Sequence, residues 1–123
     1  MAAQPLKVLD EAAIRARLVG SLHHWSYDGR FIRRTYRTGG WKGTLMVTNA
    51  IGHLAEAAWH HPEIIATYPA VEVRLETHDA GGITERDFEL AGRIEALVQW
   101  RPADGSALEG TPQDAAYVYV KYD

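Results

Sequence analysis

Seven residues alternate without a break, with Val71, Val73, Leu75 and Thr77 on one side and Glu72, Arg74 and Glu76 on the other. Side chains along a strand point to opposite faces with a period of two, so one face of this segment suits a core and the other suits water. Parallel sheets bury both faces of their strands, whereas an antiparallel sheet can leave one face wet. The segment therefore calls for an antiparallel sheet with an apolar layer across one side only.

Amphipathic helices supply that layer. Asp10 is a good N-cap, and Ile14, Leu18 and Leu22 follow at helical spacing, which predicts a first helix over Glu11 to Leu18. A long second helix is predicted from about Trp41 to His60, with Val47, Ile51, Leu54 and Ala58 on one stripe. Gly43 and Gly52 lower its propensity, and each reads as a point of close packing. Pro62 disfavours α geometry at His61, so the helix stops at or just before it. A third helix starts after Thr84, where Asp87 makes a capping-box variant and Ile83 with Phe88 a hydrophobic staple. Its stripe continues through Leu90, Ile94, Leu97 and Val98.

Asp28-Gly29 between Trp25–Tyr27 and Arg30–Arg37 signals a hairpin. Two more strands, Ile64–Thr67 and Val71–Thr77, join at Tyr68-Pro69-Ala70. Residues 101–116 read as a loop, and Ala116 to Tyr122 reads as an extra strand in a C-terminal extension. The order of elements gives an α+β fold in which helices cover one face of an antiparallel sheet.

A length of 123 residues with 46% hydrophobic content suits one domain, residues 1–123, with a real core. A net charge of -3 without a basic block argues against nucleic acid or an anionic membrane as main partner. No apolar run approaches the roughly 18 residues of a membrane span. Met1–Pro5 lacks the charged and apolar regions of a secretion signal, so the expectation is a soluble, cytoplasmic protein. Without cysteine there is no disulfide, thiol nucleophile or thiolate metal site.

The chemistry is carried by histidines. His60 and His61 precede Pro62, Glu56 lies four residues before the pair, and His78 follows the alternating strand. Imidazole gives and takes protons near neutrality, so three around one pocket suit a proton-moving reaction that needs no metal or organic cofactor. A helix persisting to position 60 puts His53, Glu56 and His60 on one stripe, where Glu56 faces His60 and favours its imidazolium form. His61 then points about 100 degrees further round or lies in the turn. Zinc fits this spacing poorly, since it lacks the His-Glu-x-x-His pattern and a clear further ligand. His53 reads as solvated, His23-His24 as structural, and Trp25, Trp41 and Trp100 as core or interface aromatics.

Glu56, His60-His61-Pro62, Tyr68, His78 and Asp87 stand in one register, with Ala55-Glu56, Thr77-His78 and Gly82-Ile83-Thr84 around them. On these residues the chain resembles the pterin-4a-carbinolamine dehydratases, also called 4a-hydroxytetrahydrobiopterin dehydratases. The resemblance covers about residues 10–100 and leaves 101–123 as an extension. It implies a four-stranded antiparallel sheet with three helices packed on one face, and a homodimer or homotetramer formed through helices and sheet edges. It implies dehydration of a 4a-hydroxytetrahydropterin to the quinonoid dihydropterin, in recycling of the pterin used by aromatic amino acid hydroxylases. His60, His61 and His78 would surround the pterin ring and Glu56 would tune a histidine, while backbone near Glu76 and Thr77 would approach the ring edge. Two positions depart from the family pattern. Trp59 stands where relatives often have Asp or Asn, and Ile64 where they often have Trp, so Trp59 takes over as an apolar wall. Relatives also include a transcription-factor dimerisation cofactor and Rubisco assembly factors, so a non-catalytic binding or assembly protein is the alternative reading.

Overall fold

The alternating segment lies inside a sheet, covered on one face. The structure, a computed structural model, describes residues 6–123. The expectation about a secretion signal rests on Met1–Pro5, which lie outside them. In chain order the elements are α1 (Glu11–Arg17), β1 (Ser26–Tyr27), β2 (Ile32–Arg37), α2 (Trp41–Ala58), β3 (Glu63–Thr67), β4 (Ala70–Leu75) and α3 (Glu85–Val98). Short 3₁₀ turns occur at Gly20–Leu22 and His78–Ala80. The sheet runs β1-β2-β4-β3, with every neighbouring pair antiparallel. This is the expected α+β fold, with four strands and three helices.

Register sorts the faces. β2 and β4 pair Ile32 with Leu75, Arg34 with Val73 and Tyr36 with Val71, and all six side chains are buried. Ile14 of α1, Ile51 of α2 and Ile94 of α3 join them in the core. The opposite face carries ion pairs of Arg33 and Arg74 with Glu72, and of Arg30 with Glu76. Among the described residues no helix is long and apolar enough to cross a membrane.

A buried arginine on the inner face needs partners, because an uncompensated charge there is costly. Arg34 has two. Glu95 of α3 lies 3.0 Å from its Nε, and the Asp123 carboxylate meets its Nη2. Glu95 also accepts from the Tyr36 hydroxyl at 2.7 Å and from Trp25 Nε1 at 3.0 Å. Burial alone would push the Glu95 carboxyl up, but hydrogen bonds from Arg34 and Tyr36 outweigh it and hold the group below the usual carboxylate range. The Arg34–Glu95–Tyr36 cluster ties α3 to β2 and, through Asp123, fastens the segment that follows α3.

The caps follow the sequence. Asp10 Oδ1 accepts from Ala13 N at 2.8 Å, and Asp87 Oδ2 accepts from Thr84 N at 2.9 Å to complete the α3 capping box. Ile83 and Phe88 are both buried.

Four expectations are corrected. α2 ends at Ala58, two residues before the predicted limit, because Trp59 takes the left-handed conformation (φ 53°, ψ 45°) and turns the chain out of the helix. Ala58 is exposed, and Ala55 supplies the last buried position of that helix. Gly43 does mark a close approach, since a Cβ there would collide with the Tyr119 carbonyl, but a Cβ at Gly52 would meet open space. The predicted final strand is reduced to one bridge, Thr38↔Val120, flanked by Gly39 N→Tyr119 O at 3.0 Å and Lys121 N→Arg37 O at 2.9 Å. β2 ends at Arg37 and the chain enters α2 at Trp41, so the tail finds backbone partners over only a few residues. Apart from these four, Trp25 is a core member of the tryptophans read as core or interface aromatics, and Trp41 and Trp100 lie exposed on the single chain.

Candidate active site

The site is built where α2 stops. Trp59 is the single non-glycine residue with positive φ among the described residues. Its N–H donates to Glu56 O at 3.2 Å and the next N–H, of His60, reaches back to Ala55 O at 3.1 Å. This closure satisfies carbonyls that every helix end leaves open. It also reverses the chain, so the two histidines that follow leave in different directions.

His60 turns toward α3. Its Nε2 lies 2.7 Å from Asp87 Oδ1, and Asp87 is fully buried. The other Asp87 oxygen accepts from the Thr77 hydroxyl at 2.7 Å and from Thr84 N at 2.9 Å. A carboxylate only accepts, so the imidazole nitrogen facing it carries a hydrogen and the Nδ1 edge of the ring is turned away from Asp87. His60 is therefore oriented by a carboxylate that is itself fixed by α3 and by the end of β4.

His61 turns back over α2. Its Nε2 lies 2.8 Å from Glu56 Oε1, and both side chains are more than half exposed. The expected pairing of Glu56 with His60 is thus corrected. The left-handed residue between helix and histidines brings position 61, rather than 60, over position 56. The Trp59 indole stands edge-on to the His61 ring, with centroids 5.1 Å apart and planes at 82°. Trp59 is 74% exposed.

His78 arrives from the sheet, as the first residue of the turn after β4. Trp59, His60 and His61 on one side, and Glu76, Thr77 and His78 on the other, line one cavity of about 310 Å³. Asp79 and Arg86 line it as well. The Glu76 carboxylate is held by Arg30 at 2.9 and 3.2 Å. Thr77 spends its own N–H and carbonyl on Gly82, Ala80 and Gly81, and its hydroxyl on Asp87 and Thr84. It is a rigid wall.

The three predicted histidines and the predicted Trp59, Glu76 and Thr77 therefore meet, while Glu56 lies outside the lining and touches His61. His53 is exposed and His23 binds Gly20 O, and neither lines the cavity. Tyr68 lies elsewhere, beside Gly40 at the start of α2. Among the described residues no group of three His, Asp or Glu side chains could hold a metal ion. Asp87 figures in the sequence as part of the family pattern and as a cap, with no contact to His60 expected, and Arg86 is passed over. The signal that could find Arg86 is that a residue fixed at the third helical position carries its neighbour to the same helix mouth.

A family model described as pterin 4 alpha carbinolamine dehydratase matches residues 7–97. The chain belongs to the pterin 4 alpha carbinolamine dehydratase family. An Aquifex aeolicus protein named "putative pterin-4-alpha-carbinolamine dehydratase" is 43% identical over 94 residues, covering 76% of this chain and 94% of that protein. A Natronomonas pharaonis protein of the same name is 42% identical over 91 residues, 74% of this chain and 96% of its own. Among solved structures, a transcriptional coactivator/pterin dehydratase from Brucella melitensis is 30% identical with a TM-score of 0.68, over 74% of this chain and 98% of that one. A pterin dehydratase-like protein identified as a RuBisCO assembly factor in the alpha-carboxysome shares the fold at 23% identity and a TM-score of 0.52, over 63% and 93% of the two chains. The family match ends at residue 97, so the tail that packs on the start of α2 lies outside it.

Proposed function

We propose that this member of the pterin 4 alpha carbinolamine dehydratase family dehydrates a 4a-hydroxytetrahydropterin to the quinonoid dihydropterin and water, with His60, His61 and His78 as the acid–base groups. The observation that carries the reading is the convergence of these three imidazoles on one open cavity, from two separate stretches of chain. Loss of water from C4a requires that the hydroxyl be protonated as its C–O bond breaks and that the N5 proton be removed. One imidazolium supplies the first proton and one neutral imidazole takes the second. Each positioned group of this kind contributes about 10²- to 10⁴-fold. Neither step requires a metal or an organic cofactor. Glu56 orients His61, Asp87 orients His60, and Trp59 with the backbone at Glu76 and Thr77 walls the ring.

The test is a dehydration assay on 4a-hydroxytetrahydropterin generated in place by a hydroxylase. Acceleration over background that collapses in His60→Ala or His78→Ala supports the reading. A well-folded protein that leaves the background rate unchanged sinks it, and would leave a binding or assembly role of the kind identified for the carboxysome relative.

A further inference from the structure

Beside the histidine cavity lies a second one of about 240 Å³, in the cleft between the end of α2 and the exposed side of α3. Ala58, His60, Arg86, Glu89, Leu90 and Arg93 line it. His60 and Arg86 line both cavities, so the two adjoin at this pair.

Arg86 and Arg93 stand seven residues apart, two turns along one stripe of α3 and separated by about 10 Å. Both are exposed. Neither makes an ion pair among the described residues, although Arg15, Arg17, Arg30, Arg33, Arg34 and Arg74 all do. Glu89 lies between them and is within ion-pair distance of neither, so its carboxylate offsets one of the two charges and leaves a net positive cleft. Guanidinium groups recognise carboxylate and phosphate through paired N–H donors. Leu90 and Ala58 give the cleft an apolar floor on which a linker can lie.

A pterin with a short neutral side chain occupies the histidine cavity and leaves this annex to water. A pterin whose side chain ends in an anion reaches from one cavity into the other. We infer that Arg86 and Arg93 form an anion-binding annex that selects reduced pterins with carboxylate- or phosphate-ended side chains. The inference rests on the pterin reading of the histidine cavity.

The experiment compares dissociation constants of the intact protein for three probes at low salt. They are 7,8-dihydrobiopterin (neutral side chain), 7,8-dihydrofolate (carboxylates) and 7,8-dihydroneopterin monophosphate. The expected result is binding of at least one anionic probe about tenfold tighter than dihydrobiopterin, with the better of the two naming the anion. The preference shrinks as salt approaches about 0.5 M. In Arg93→Gln the ratio of anionic to neutral affinity falls toward one. Equal affinities for all three probes, or a ratio indifferent to Arg93→Gln, overturn the annex and leave the dehydratase reading standing. Failure of every probe to bind folded protein removes both.

Discussion

Asp87 holds the start of α3 with one carboxylate oxygen and the ring of His60, 2.7 Å away, with the other. Stability and site geometry are thereby joined in one buried side chain. Asp87→Asn keeps an oxygen for the cap but turns an N–H₂ toward His60, which forces the ring into its other tautomer. We expect a loss of about 1 kcal/mol in unfolding free energy and a fall in kcat of about 10²-fold or more. Thr84→Ala is the control, since it removes a capping hydroxyl that does not touch His60. Urea melts and dehydration rates on both variants separate the two roles; equal kcat losses would show that His60 does not depend on Asp87.

Trp59 occupies a conformation that costs an L-residue with a bulky side chain roughly 1–2 kcal/mol, and glycine nothing. Its indole is largely exposed, so little burial is lost on removing it. Trp59→Gly should raise unfolding stability by about 1 kcal/mol and weaken dihydropterin binding. Chemical denaturation and a binding isotherm on the same sample check both. A destabilised variant would mean that the indole's contact with His61 outweighs the backbone strain.

The two glycines of α2 should respond with opposite sign. Gly52→Ala meets no neighbour and gains helix propensity, about 0.5–1 kcal/mol. Gly43→Ala drives a methyl into the Tyr119 carbonyl and should cost about 1–3 kcal/mol. Thermal melts suffice, and a stabilising Gly43→Ala would show that the tail does not rest there.

Glu95 sets an acid limit. Its carboxyl is held low in the folded protein by Arg34 and Tyr36 against the opposing effect of burial. A depressed folded-state pKa contributes stability that is in place above the unfolded value and is lost as pH falls through the folded one. Unfolding free energy should therefore decline below about pH 4.5. Glu95→Gln should flatten part of that decline. At neutral pH it should cost about 2–3 kcal/mol, less than a fully buried pair, because the carboxylate keeps some solvent contact. A pH series of urea melts decides it; an unchanged acid slope in Glu95→Gln would place the sensitivity elsewhere.

Activity should trace a bell against pH, because one protonated and one unprotonated group are needed in the same turnover. A flat rate from about pH 5 to 9 would count against acid–base work by histidine.

Local chemistry makes much of this fold legible. Asp10, Thr84 with Asp87, and the alternation from Val71 to Thr77 each carry their own physical signal, and each stands where that signal puts it. The end of α2 is harder to read because Trp59 is a poor sequence cue for left-handed geometry, which glycine or asparagine would announce. That one residue decides which histidine meets Glu56, so an error in a helix boundary becomes an error in pairing. The contact between His60 and Asp87 spans 27 positions, and periodicity within a segment says nothing about partners that far apart. The alternating tyrosines and valines of the tail read as a strand, but a strand needs a neighbour of matching length.

The seat of the tail on α2 has a consequence for reading other sequences. Val118 and Tyr119 approach Gly39 and Gly43 so closely that only hydrogen can occupy the space where a side chain would begin. A homologue with an extension folded back in this manner must keep both positions bare, and one that ends near residue 100 is free to fill them. Those two absent methyl groups are thus a written trace, inside the common core, of a segment that the core itself does not contain.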